Sequence, residues 1–192
     1  MSVLSHFRRV PAFRFPLGLV VAVFLGISGC RQERSMSTVP DFTLPEVRGG
    51  SFHLRAERFP AILLAFLQAL PDTLDTPSRQ QVGFLLSMQH QYGSRGLMVV
   101  VIDSSALANG ESPKTDALLN ASHDWHLEIP LLEDKKNHLG KSLGITEAPT
   151  LLLLSSDGTI IRRWNGLTGP VSLAEAIEKV CAGPSVRAGV SQ

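Results

Sequence analysis

A chain of 192 residues with 44 % hydrophobic and 18 % charged side chains is long enough for one domain with a sizeable core, and its balance is that of an ordinary globular protein. A formal net charge of +1, scattered arginines and no basic stripe interleaved with aromatics argue against a nucleic-acid partner.

The first segment stands apart from that domain. Arg8, Arg9 and Arg14 form a positive leader, and Leu17 to Ile27 is an apolar run shorter than the roughly 20 residues a transmembrane helix needs. With small residues at its end, this is the pattern of a secretory signal peptide. Ile27-Ser28-Gly29-Cys30 resembles the bacterial lipobox. That resemblance implies a lipoprotein signal peptide over 1–29, removed before Cys30, and acylation of the Cys30 thiol. More than one acyl chain gives stable anchoring. Two other readings of Cys30 stay open: an incidental residue in an uncleaved anchor, or a neighbour of an ordinary cleavage site. Residues 30–38 are polar and read as a tether from lipid to domain.

The domain is expected over 39–182. Phe42-Thr43-Leu44 and Ser51-Phe52-His53-Leu54 alternate as short strands around a Gly49-Gly50 turn, an N-terminal hairpin. Ala61 to Leu67 is a continuous apolar run, the mark of a strand buried on both faces. A turn-rich stretch, Pro71 to Ser78, leads to a helical pattern over Arg79 to Tyr92 with Gly93 as its cap. Leu97 to Ile102 is a second buried strand ending at Asp103. Lys114 to Trp125 is helical, with Ser112 as N-cap and Pro113 in the first turn. Ile129 to Leu132 is extended, and Lys135 to Leu143 is a short helix stopping at Gly144. Pro149 to Leu154 and Thr159 to Trp164 form a hairpin around Ser155-Ser156-Asp157-Gly158. Ser172 to Cys181 is an amphipathic helix, and 183–192 is a Gly- and Ser-containing tail. Strands alternating with helices, closing in a hairpin and a helix, read as an α/β or α+β chain of three layers, α/β/α, with a mixed central sheet.

This order resembles the thioredoxin fold of the exported TlpA/ResA and redoxin group of thiol-disulfide oxidoreductases. The residues that carry the resemblance are Pro40-Asp41-Phe42-Thr43-Leu44-Pro45, Leu64-Ala65-Phe66-Leu67, Tyr92-Gly93-Ser94-Arg95-Gly96-Leu97, Glu147-Ala148-Pro149-Thr150 and Asp157-Gly158-Thr159-Ile160. It implies a cis peptide at Ala148-Pro149, and a groove in which Ala148, Pro149 and Thr150 face the redox motif and present backbone to a substrate. It also locates a departure. Asp75-Thr76-Pro77-Ser78-Arg79 stands where the group has Cys-x-x-Cys-Arg, so Asp75 and Ser78 take the cysteine positions. A different gap placement puts Pro71 and Leu74 there, and neither supplies a thiol.

Thiolate chemistry therefore has no pair to run on. With Cys30 assigned to lipid, only Cys181 remains, and a lone cysteine closing a helix reads as a small buried hydrophobe. At the opening of the motif helix, Asp75 or Ser78 is expected to serve as N-cap. His123 and His126 lack a third metal ligand and read as solvated surface. Glu133-Asp134 closes a strand, followed by an ordinary charged surface at Lys135-Lys136. No cofactor or metal is called for. The sequence thus points to a membrane-anchored, exported, redox-inactive lipoprotein of the cell envelope, and leaves open whether it is an enzyme. Its partners would be the membrane, through lipid, and an extended polypeptide or an envelope protein. The alternatives are an oxidoreductase of unusual chemistry using Cys181, and a structural part of an envelope complex.

Overall fold

A computed structural model describes residues 37–70 and 76–181. The leader, Cys30, most of the tether, Asp75 and the tail lie outside the described residues. Among the described residues there are seven strands: β1 (Thr43–Pro45), β2 (Ser51–His53), β3 (Ala61–Leu67), β4 (Leu97–Asp103), β5 (Leu131–Leu132), β6 (Thr150–Ser155) and β7 (Ile160–Asn165). Five helices join them: α1 (Pro77–Tyr92), α2 (Ala106–Asn109), α3 (Thr115–Asp124), α4 (His138–Ser142) and α5 (Pro170–Cys181). Among the described residues no helix is long and apolar enough to cross a membrane.

The five-stranded sheet runs β5-β4-β3-β6-β7. β3 pairs parallel with β4 and antiparallel with β6, and β4 pairs parallel with β5. β3 is buried at all seven positions, and its side chains divide by parity, because successive residues of a strand face opposite ways. Ala61, Leu63, Ala65 and Leu67 enter one cluster with Val82, Leu85, Leu118, Trp125, Leu173 and Ile177. Ile62, Leu64 and Phe66 enter the other with Phe52, Leu54, Leu139 and Ile145. α1, α3 and α5 therefore cover one face, and α4 with the N-terminal hairpin covers the other. This is the expected mixed sheet between two layers.

The hairpin β1-β2 forms its own two-stranded sheet and also closes an edge. Val47 N donates to Leu131 O and Glu133 N to Pro45 O, both along β5. At the opposite edge Ile160 N donates to Ser37 O and Val39 N to Gly158 O, so backbone pairing begins within the stretch read as tether.

Gly93 is the C-cap of α1, as expected, in a right-handed conformation (φ −56); the chain continues through a 3-10 turn to Gly96, which takes the left-handed conformation (φ 93). Several other local expectations are corrected. α3 begins at Thr115 after Lys114, with no side-chain cap. Ser112 does not cap it, because its Oγ accepts from Lys136 N across the fold at 2.6 Å. The expected helix over Lys135 to Leu143 is broken at Lys136 (φ 55) and Asn137 (φ 53). Asp134 then starts α4 by accepting from Leu139 N (3.0 Å) and Gly140 N (2.9 Å). α5 starts at Pro170, two residues before the expected Ser172.

Gly96 gives a direct test of this path. An added Cβ would meet Pro60 Cγ at 2.6 Å, at a φ that side chains disfavour. Gly96→Ala should cost about 2 kcal/mol, from handedness and overpacking together, in urea denaturation. A cost near zero would refute the left-handed turn.

Candidate functional site

The antiparallel pairing of β3 with β6 sets Phe66 opposite Thr150. The carboxyl end of β3, the start of α1 and the proline before β6 therefore meet at one end of the sheet. The Ala148-Pro149 peptide is cis. Pro149 and Thr150 are buried and Ala148 half-buried. Thr150 Oγ1 donates to Glu147 O (2.7 Å), folding the loop onto itself.

α1 opens on Thr76, whose Oγ1 accepts from Arg79 N (3.2 Å), with Pro77 in the first turn. This corrects the expected N-cap. A proline at the first helical position leaves the residue before it as the cap, and Ser78 lies inside the helix. Ser78 is 2 % exposed, and its Oγ accepts from Gln68 N (3.0 Å). The Ser78 hydroxyl is thus committed to the fold. Arg79 Nη2 donates to Asp124 O (3.1 Å), and its guanidinium sits 5.6 Å from the centre of the Trp125 ring.

Ser78 is one of three side chains that capture successive backbone donors. Ala69 N donates to Asp103 Oδ1 (3.3 Å) and Leu70 N to Ser105 Oγ (2.9 Å). The same Asp103 oxygen accepts from Ser105 N (3.1 Å) and Ser105 Oγ (2.6 Å). The chain leaving β3 has no strand neighbour there, and its buried N–H groups need acceptors. Burial pushes the Asp103 carboxyl above the usual carboxylate range; the bonds from Ser105 and Ala69 pull it back, and the charge of Asp134 adds to the rise. Beside it, Ser104 Oγ is buried with no partner.

A second set of bonds ties α1 to the proline loop. Gln81 is fully buried; its Oε1 accepts from Thr168 N (2.8 Å) and its Nε2 donates to Thr168 O (3.1 Å). Gly166 N donates to Pro149 O (2.8 Å). Between these two tethers Leu167 stays 45 % exposed, and Val171 in the first turn of α5 is 71 % exposed. The residues sequence reasoning missed are Gln81, Thr168, Asp103 and Ser105. Asp103 was legible as the residue ending a strand; the other three pair only through the fold.

Cys181 is elsewhere. Gln81 meets Thr168 before α5, and Tyr92 Oη donates to Glu178 Oε1 (3.0 Å) near its end. α1 and α5 thus run side by side in the same direction, and Cys181 closes α5 at the Tyr92 end, about 20 Å along α1 from Ser78 at 1.5 Å per residue. It is half-buried, and burial pushes its thiol up, away from the reactive thiolate. His123 and His126 border a surface cavity with Arg48, but α3 ends at Asp124 and His126 is left-handed (φ 49), so they share no helix face. Among the described residues no three His, Cys, Asp or Glu side chains group as a metal site.

A mixed five-stranded sheet, helices on both faces, and a cis proline opposite the start of α1 define a thioredoxin-like protein. Its likenesses lie with the ResA-type group of that fold. The chain is 22 % identical over 142 residues to thiol-disulfide oxidoreductase ResA of Bacillus thuringiensis subsp. konkukian, covering 73 % of this chain and 75 % of that one. A solved structure described as a thiol:disulfide interchange protein DsbE, from Chlorobium tepidum, superposes with a TM-score of 0.65 at 22 % identity, over 76 % of this chain and 96 % of that one. A thiol-disulfide oxidoreductase from Bacteroides fragilis does so with a TM-score of 0.61 at 22 % identity, over 74 % and 98 %. No family model matches the chain.

Proposed function

We propose that this protein is a redox-inactive thioredoxin-like lipoprotein of the cell envelope. It is held to a membrane by acylated Cys30, and it binds extended polypeptide between the start of α1 and the Ala148–Pro149–Thr150 loop. One observation carries the reading. The Ala148-Pro149 peptide is cis and its loop is cross-tied to α1, while Ser78, which on this reading takes the second cysteine's place, has its hydroxyl bonded to Gln68 N. Ala148, half-buried, has no backbone hydrogen-bond partner among the described residues, which leaves its N–H and C=O for an extended chain. Leu167 and Val171 add apolar surface beside it. The same groove in the relatives named for disulfide chemistry would serve thiol exchange; here it serves binding alone.

The test uses the acylated protein in membranes and the purified chain without its leader. Insulin reduction by dithiothreitol should proceed no faster with the protein than without it. Reduced, alkylated lactalbumin, an extended polypeptide probe, should bind, and Leu167→Asp should weaken it about tenfold through loss of apolar contact. Cys30→Ser should move the protein from the membrane to the soluble fraction. Catalysed reduction would sink the redox-inactive reading, absence of lactalbumin binding the groove reading, and an unchanged membrane fraction the lipid anchor.

A further inference from the structure

A cavity of about 570 Å³ opens between the α2–α3 loop and the chain leaving β5, its lining carrying two carboxylates, exposed Glu111 and buried Glu133, three lysines, Lys114, Lys135 and Lys136, and the hydroxyl of Ser112. That volume falls within the range of small-molecule sites. The cavity joins two kinds of charge. Lys114 and Lys136 are exposed and have no carboxylate partner among the described residues. Glu133 is the reverse: its side chain is 7 % exposed, yet its carboxylate makes only long contacts. Thr115 Oγ1 lies 3.5 and 3.4 Å from its two oxygens, and Lys135 Nζ lies 3.8 Å away. Charge-assisted bonds to a carboxylate run at roughly 2.7–2.9 Å, and buried charges are normally satisfied by such bonds. Glu133 lacks one.

The cavity wall is also shaped by local strain. Lys136 and Asn137 are both left-handed, an arrangement costly for residues with a Cβ and stored where surrounding structure enforces it. The bond from Lys136 N to Ser112 Oγ ties the two walls together. Because that bond uses Ser112 as acceptor, its hydroxyl proton stays available to donate into the cavity.

We propose that this cavity binds a small zwitterion, a free amino acid or dipeptide. Its ammonium group supplies the short hydrogen bond that Glu133 lacks, and its carboxylate is held by Lys114 and Lys136, with Ser112 donating. A simple anion would be repelled by Glu133, and a simple cation by the lysines, so both ends of the ligand are read. The site owes nothing to the groove at Pro149, and either can fail alone.

The experiment is isothermal titration of the full chain without its leader, with glycine, L-alanine, L-glutamate and L-alanyl-L-alanine as probes. Acetate and methylamine are the single-charge controls. At least one zwitterion should bind tenfold or more tighter than either control. Glu133→Gln should weaken it at least tenfold, and so should Lys114→Met combined with Lys136→Met. The lysine variant alters only exposed side chains, so it reads binding even where Glu133→Gln disturbs packing against Thr115. Absence of zwitterion binding overturns the proposal. So does acetate binding as tightly as the zwitterions, or zwitterion binding unchanged in the double lysine variant.

Discussion

Trp125→Ala should lower the unfolding free energy by about 3–5 kcal/mol, the usual cost of deleting a large buried aromatic. Trp125 is 2 % exposed at the end of α3 and packs with Leu118 and Ala121 into the core under α1. Against a total stability of about 5–15 kcal/mol, this removes a large share. The guanidinium of Arg79, in the first turn of α1, also loses the ring beneath it. The loss should therefore be accompanied by weaker lactalbumin binding at the groove, even at temperatures where the variant stays folded. Trp164→Ala makes the comparison, since that ring is only partly buried and reaches Ser172 Oγ through its N–H (3.1 Å). Equal urea midpoints for the two variants would contradict the packing described.

Asp103→Ala should cost about 2–4 kcal/mol, because Ala69 N and Ser105 N and Oγ all lose one buried acceptor. Asp103→Asn keeps an oxygen for them and should cost far less. The pair separates geometry from charge through pH. The folded-state carboxyl titrates above its ordinary value of 3.8, so the folded protein holds that proton longer than the unfolded chain. The group's favourable contribution is therefore complete below pH 3.8 and is lost as pH rises through the elevated folded pKa. Asp157, held down to about 2 by bonds from Ser155 and Thr159, has the opposite sign and is fully exposed. Subtracting the stability curve of Asp103→Asn from that of the wild type removes this and every other common group. The difference should fall with pH above 3.8 and then level off; a flat or rising difference would place Asp103 in a different environment.

The main elements were legible because their signals are local. Ala61 to Leu67 is apolar at every position, and its bounds as β3 are those the sequence set. At the start of α1 the sequence points to Asp75 or Ser78 as cap, whereas the residue before Pro77 takes that place and the Thr76 hydroxyl accepts from Arg79 N. The other failures fall where long-range bonds overrule local grammar. Cap-then-proline reasoning fails at Ser112-Pro113, where the hydroxyl is taken by Lys136 N, remote in sequence. Glu133 and Asp134 read as the charged end of a strand, yet both are buried, Asp134 capping α4 and Glu133 lining a cavity. At the candidate site the lack of a Cys-x-x-Cys pair was legible, since the chain holds only Cys30 and Cys181. The committed state of Ser78 was not, because the donor it satisfies, Gln68 N, lies ten residues away and outside the helix that carries it.

The place of β3 has a consequence for how the molecule is made. Its two neighbours are β4, reached soon after it through α1, and β6, which arrives much later in the chain and pairs along almost its whole length, from Ala61 with Ser155 to Phe66 with Thr150. Until β6 has been synthesised, one entire side of the most apolar strand is an unpaired edge, the kind that recruits other chains. Fragments ending before Thr150 should therefore aggregate rather than yield a smaller stable domain, and cooperative folding has to wait for the last third of the sequence.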